Sequence, residues 1–273
     1  MLLTKALDGP PRKIVSLNPS ITEFLFLISA GDRVVGTDVW SYRPREAMKT
    51  VKIGSFTSAD IETIKKLSPD LIILSYPVQR QLVEPLSGIA PVLAVPMPVN
   101  LNAVVSSFEM VGKLLDLDEE SQRVISIYMD LLRHSIDVED AVVILSLGDY
   151  VIPCEASYIA SALNKVGIRY VKGLKCVELI TNKDGALNII NRINPQLVIY
   201  EGGKTKDYRP QETNWINKPT IHTPNDVLAH FGPSLPLDIQ LLINAIRNGE
   251  KFVKNTSSIT RPSLGDPWYK PYL

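Results

Sequence analysis

The chain has 273 residues, 45% of them hydrophobic and 21% charged, with 29 basic and 29 acidic side chains. That length allows two lobes with a sizeable core, and the composition is that of a folded globular protein. The balanced charge supplies no global field for DNA, RNA or an anionic membrane, so nucleic acid is excluded as an expected partner.

The opening residues, MLLTKALDGPPRK, lack the apolar run of roughly 7–15 residues that a signal peptide needs. No lipobox cysteine follows, and no segment reaches the roughly 18 apolar residues of a membrane span. As it stands the chain is expected in the cytoplasm; a leader removed from it would place it outside the membrane. Ile14 to Leu17 reads as a short strand buried on both faces. Asn18-Pro19-Ser20 turns the chain, Thr22 with Glu23 opens an amphipathic helix stopped at Gly31, and a strand from Arg33 to Gly36 follows. This is a βαβ unit whose first loop lies at the carboxyl end of a parallel sheet, where such folds place ligands. A helix over Ile61 to Leu67, a strand over Leu71 to Leu74, a helix over Arg80 to Gly88 and a strand over Pro91 to Val95 complete the first lobe.

From Leu101 to about Ser135 apolar residues recur at helical spacing without a proline. A continuous helix of about 33 residues would run roughly 50 Å, a length suited to a connector between lobes, with a kink near Gly112 and Leu117-Asp118. The second lobe opens with the apolar strand Ala141 to Leu147, which ends in Gly148-Asp149-Tyr150. A helix over Ser157 to Val166, a short strand at Arg169 to Val171, a helix over Leu187 to Ile193 and a strand over Gln196 to Tyr200 follow. Pro236 to Asn248 is a closing helix. IKKLSPDLIILSY in the first lobe parallels INRINPQLVIYEG in the second. The expected organisation is an α/β lobe at 1–100, a connecting helix at 101–136, a second α/β lobe at 137–253 and a surface tail at 254–273. Cys154 and Cys176 have no CxxC spacing and are expected as free buried thiols, with a disulfide as the alternative.

The segments RKIVSLNPSITEFLFLISAGDRVVG and IGSFTSADIETIKKLSPDLII, the long helix and the second-lobe INPQLVI together resemble the periplasmic iron-chelate and cobalamin binding proteins of ABC importers. The resemblance runs from residue 12 to about residue 250. It implies two parallel-sheet α/β lobes joined by one long rigid helix, with a ligand cleft between them. It also implies a non-enzymatic role: binding a metal-containing macrocycle or chelate, cobalamin-like or iron–siderophore-like, as an importer's substrate-binding protein or a divergent cytoplasmic relative of one. No obligatory cofactor is expected, since cobalamin or a ferric chelate would be the ligand. The partners implied are that chelate and an importer permease, and the protein is expected to be a monomer.

A flat macrocycle needs large rigid surfaces and a few polar anchors. Ligand-binding candidates in the first lobe are Trp40, Tyr42, Phe56 and Tyr76, with Trp40 and Phe56 where cobalamin-binding relatives place aromatic contacts. Arg43, with Arg33 and Arg45, makes this mouth basic and suits an anionic ligand group, unless the loop is simply a solvated basic one. The second lobe offers Tyr150, Tyr158, His222, His230 and Phe231. Tyr158 also suits helix packing, and each histidine also suits a surface loop or a hydrogen-bonded core. Phe24, Phe26 and Phe108 are assigned to the core.

The sequence departs from the implied pattern at three places. Relatives present one acidic docking residue per lobe. Glu62, seven residues before Pro69, holds the first position, but Asn188 stands seven before Pro195, leaving the pair incomplete unless Glu178 or Asp184 substitutes. Ser234 occupies the place after Gly-Pro where relatives often carry an arginine for anionic chelates. The third departure is the leader. An alternative class is a tetrapyrrole metal chelatase-like enzyme using His222 and His230 with Glu155 or Glu201. Against it, the chain has only three histidines and no catalytic elbow, P-loop or dinucleotide fingerprint.

Overall fold

A computed structural model describes residues 2–55, 57–176, 180–202, 213–253 and 263–272. The chain divides into two compact units. One comprises Met1–Pro98, Asn102–Tyr128 and Ser257–Leu273, the other Val99–Leu101 and Met129–Thr256.

The first unit is built on strands β1 (Leu2–Leu3), β2 (Ile14–Ser16), β3 (Val34–Thr37), β4 (Val51–Lys52), β5 (Leu71–Tyr76) and β6 (Val92–Pro96). They lie in the order β1-β6-β5-β2-β3-β4. All neighbours are parallel except β1 against β6. The two-residue strands β1 and β4 are too short to leave a periodic signal. Helix α1 (Pro19–Leu27) begins where the Asn18 side chain accepts from the Ile21 N–H at 3.0 Å, with proline in the first turn. Helices α2 (Ile61–Leu67) and α3 (Arg80–Ser87) supply Ile64, Leu82 and Leu86 to a core with Val15, Leu17, Ile72, Leu74, Val92 and Ala94.

The long helix expected from Leu101, with a kink near Gly112 and Leu117-Asp118, is two helices, α4 (Leu101–Leu115) and α5 (Asp118–Leu131), broken at that kink. Asp116 between them takes φ 58°, a left-handed conformation that a short polar side chain tolerates. The Leu117 N–H bonds the Gly112 carbonyl at 3.0 Å. A Cβ on Gly112 would lie 2.0 Å from Ser121 Oγ, so only glycine lets the two helices approach this closely. Nearly all of both helices belongs to the first unit, where Phe108 of α4 stacks on Phe24 with centroids 4.3 Å apart. Tyr128 of α5 meets Phe108 edge-on at 5.7 Å. Packing therefore claims residues that periodicity assigned to a connector. Phe24 and Phe108 are fully buried as expected, whereas Phe26 is only partly so.

The end of the chain is not a surface tail. Tyr269 and Tyr272 are both 0% exposed and part of the first unit. Tyr269 Oη donates to Glu23 Oε1, and Glu46 accepts from Ser263 Oγ and from the Leu264 N–H. Glu23, read as a helix-opening acid, is itself fully buried beneath this segment.

The second unit has β7 (Val138–Leu147), β8 (Asp149–Val151), α6 (Tyr158–Val166), β9 (Ile168–Tyr170), β10 (Ile180–Thr181), α7 (Lys183–Ile193), β11 (Leu197–Glu201), β12 (Thr220–Thr223) and α8 (Leu235–Arg247). Its sheet is mixed rather than purely parallel. β9, β11 and β12 follow the parallel pattern, but β8 turns back antiparallel on β7 and β10 pairs antiparallel with β8. Gly148, at φ 107°, makes that hairpin turn. The internal repeat is real at the level of helix ends. Ser68 and Asn194 cap α2 and α7 in the same left-handed conformation, φ 49° and 48°, each followed by proline and a buried strand. Cys154 and Cys176 form a disulfide, correcting the expectation of free thiols.

Candidate functional site

In each unit the loops that leave the carboxyl ends of the parallel strands gather at one sheet edge, and most of the candidate residues fall there. In the first unit the turn after β3 is fixed from below. Asp38, 0% exposed, accepts from the Trp40 N–H at 2.7 Å and from Ser41 Oγ at 2.8 Å. Ser41 Oγ lies 3.1 Å from Thr22 Oγ1, which donates to Ser16 Oγ at 2.9 Å. Lys52 reaches across, donating to Thr37 Oγ1 (2.7 Å), the Ser41 carbonyl (2.9 Å) and the Ala47 carbonyl (3.0 Å). Desolvation lowers the Lys52 pKa while the Asp38 charge opposes the shift. Upon this polar base Trp40 and Tyr42 are half-buried, and Val39 is 47% exposed. Tyr76, at the end of β5, is 43% exposed and Val78 41%.

Arg43 is 2% exposed, so it is neither a solvated loop residue nor an open anion anchor. Arg33 is not at this mouth. It precedes β3, at the amino end of the strand, and donates to the Leu115 carbonyl at 3.0 Å. Arg45 is exposed. Phe56 lies outside the described residues.

In the second unit Tyr150 stands on β8, half-buried, and meets Trp215 edge-on with centroids 5.3 Å apart. Lys183 Nζ lies 5.9 Å from the Trp215 ring centroid, a cation–π geometry. Leu147 beside the hairpin turn is 47% exposed. Sequence reasoning missed Trp215, although a tryptophan among the polar residues of QETNWINKP carries the same signal that singled out Trp40.

Tyr158, His222, His230 and Phe231 are 7%, 8%, 6% and 4% exposed. Tyr158 packs edge-on against Phe231 at 5.7 Å and donates its hydroxyl to the Leu228 carbonyl at 2.7 Å. His222 is on β12 rather than in a loop. Its ring stacks on Phe252 at 5.1 Å, and burial lowers its pKa to about 4. Tyr158 and Phe231 form a buried pair behind the edge, and the turn that Tyr158 bonds is held by Glu201 at the end of β11. Glu201, 1% exposed, accepts from the N–H groups of Asp226 (2.9 Å), Leu228 (2.5 Å) and Ala229 (3.3 Å). Burial, and then the neighbouring Asp226 carboxylate, push its pKa up to about 8. Ser234, at the start of α8, is fully buried. No group of metal-ligating side chains is clustered among the described residues.

Glu62 is an exposed residue of α2, ion-paired at 2.8 Å with Lys65. Asn188 is exposed on α7. Counted from the helix caps, however, Glu62 is the second residue after Asp60 and Asp184 the second after Asn182. α7 is one turn longer than α2, so counting from the proline pairs Glu62 with Asn188, whereas counting from the helix starts pairs Glu62 with Asp184. Glu178 lies outside the described residues.

A model of the periplasmic binding protein family matches residues 14–213. An uncharacterized ABC transporter substrate-binding lipoprotein of Bacillus subtilis is 31% identical over 122 residues, 42% of this chain and 38% of that protein. The vitamin B12-binding protein of Pectobacterium carotovorum is 33% identical over 73 residues, 27% of this chain and 26% of that one. The chain thus matches well under half the length of these curated relatives. The solved periplasmic heme-binding protein BhuT, with two hemes bound, superposes with a TM-score of 0.65 at 15% identity, covering 88% of this chain and 99% of that one. The chain belongs to the periplasmic binding protein family.

Proposed function

We propose that this family member binds a metal-containing macrocycle or metal chelate, cobalamin-like, heme-like or iron–siderophore-like, and delivers it unchanged to an ABC-importer permease. The observation that carries this reading is the set of large, partly exposed side chains at the carboxyl edges of both sheets: Val39, Trp40, Tyr42 and Tyr76 in one unit, Leu147, Tyr150 and Trp215 in the other. Rigid aromatic surface with few polar anchors suits a flat, largely apolar ligand. The names of the relatives, a vitamin B12-binding protein and a heme-binding protein, favour the same ligand class. The chelate is cargo, not a cofactor. A catalytic role for Glu201 is disfavoured because three backbone N–H groups already occupy its carboxylate.

Glu62 and Asp184, in the same register of their helices, are the proposed docking pair for the permease, in place of Glu62 and Asn188. The Glu62–Lys65 pair is an exposed one of small energy and leaves the carboxylate available. An extracytoplasmic site of action accords with the Cys154–Cys176 disulfide, since such bonds persist in oxidising compartments.

Absorbance titration with cobalamin, heme and a ferric siderophore tests the reading. One of the three should saturate at micromolar concentration or below. Trp40→Ala and Tyr76→Ala should each weaken it about tenfold, the equivalent of ~1.4 kcal/mol of lost contact. No saturable binding by any of the three sinks the proposal.

A further inference from the structure

The loop between β3 and β4 carries two of the ligand-facing candidates, Trp40 and Tyr42, and its root and its outer arc are held differently. At the root Asp38 and Thr22 fix the turn from below, and Lys52 reaches the Ser41 and Ala47 carbonyls. The outer arc is a short 3-10 turn, Arg45–Lys49, in which only Ala47 is buried and Met48 is 42% exposed. From that turn the half-buried Glu46 meets a segment 217 residues further along the chain. Its Oε1 accepts from Ser263 Oγ and its Oε2 from the Leu264 N–H at 3.1 Å.

Residues 263–272 have what an anchor needs. Asp266 closes a turn on Ser263, accepting its N–H at 2.8 Å and donating its own N–H to the Ser263 carbonyl at 2.9 Å. The two donors that Glu46 takes are therefore already ordered. Beyond that turn Tyr269 and Tyr272 are fully buried, and the Tyr269 hydroxyl donates to Glu23. Glu23 follows Thr22, whose Oγ1 lies 3.1 Å from Ser41 Oγ. Adjacent residues of α1 thus hold the loop and the end segment, and Glu46 joins the two directly.

We propose that Glu46 is a positioning residue, through which residues 263–272 brace the loop that presents Trp40 and Tyr42 to the ligand. An arc with one buried residue opens locally at small cost, whereas two fully buried rings rarely leave their sites. Fastening the first to the second lends the arc the stability of its anchor, and a loop ordered before binding costs the ligand less to order. The effect on affinity rests on the function proposed above; the brace itself does not.

Amide hydrogen exchange in the ligand-free protein, resolved by peptide, tests the brace. Glu46→Ala should raise exchange over residues 39–50 about tenfold and leave the β2 and β5 peptides within about twofold of wild type. Glu46→Gln keeps an acceptor for the Leu264 N–H and a donor for Ser263 Oγ, so it should restore near-wild-type exchange. Ser263→Ala should raise loop exchange about threefold by itself and add nothing to Glu46→Ala, because both remove the same bond. Unchanged loop exchange in Glu46→Ala, an equal rise in β2 and β5, no rescue by Glu46→Gln, or effects of Glu46→Ala and Ser263→Ala that multiply would each overturn the brace. Whichever of heme, cobalamin or ferric siderophore binds should leave Glu46→Ala about three- to tenfold faster than it leaves wild type or Glu46→Gln. Equal dissociation from Glu46→Ala and wild type strips Glu46 of its positioning role. If none of the three binds, the proposed function fails while the exchange data still decide the brace.

Discussion

The two sheet edges solve one problem in different ways. Each places a buried carboxylate under a turn, Asp38 beneath the half-buried Trp40 in the first unit and Glu201 beneath the turn that bonds the buried Tyr158 in the second. Asp38 works among hydroxyls, with Lys52 close enough to feel its charge. Glu201 works among backbone amides, facing another carboxylate. The difference teaches that a buried carboxylate can hold a turn through hydroxyls beside a cation or through a run of backbone N–H groups. A second contrast accompanies it: the first unit is tied by the end of the chain, the second by a disulfide.

The comparison breaks most severely if the tail does nothing. Deleting the chain from Ser263 removes two fully buried tyrosines and uncovers Glu23. Loss of one such ring costs about 3–5 kcal/mol, so the first unit should lose at least that and the second unit little. Hydrogen exchange resolved by peptide checks it, and an unchanged first unit refutes the tie. Reduction of Cys154–Cys176, or Cys154→Ser with Cys176→Ser, should cost the second unit about 3 kcal/mol in denaturant unfolding, the value for a loop of this size, with the first unit unaffected. Asp38→Ala leaves the Trp40 N–H and Ser41 hydroxyl without their acceptor. It should lower stability by about 2 kcal/mol and blue- or red-shift Trp40 fluorescence, whereas Thr22→Val, one bond further down the network, should cost about 1 kcal/mol. Equal effects from the two substitutions would remove Asp38 from its central place.

Much of the fold was legible because its signals are local. Buried parallel strands read as short apolar runs, and α2 and α7 announce their ends with a left-handed cap before proline. Trp40 and Tyr76 were legible as ligand-facing candidates because each follows a strand end. What escaped depended on distant partners. His222 reads as a loop residue until β11 pairs with β12, and Tyr158 as a contact until Phe231 covers it. Glu23 reads as a helix-opening acid until Tyr269 arrives from 246 residues away.

By itself, then, the order of residues determined two α/β units, their internal repeat and the edges that carry the aromatic loops, because periodicity, caps and strand ends are encoded within a few neighbours. Only the tertiary structure decided that the long helix packs at Phe24, that the cysteines join, and that Glu201 sits buried beneath its turn. Those outcomes hang on burial and on contacts between segments far apart in the chain, and desolvation has no signature until the fold has closed around the group.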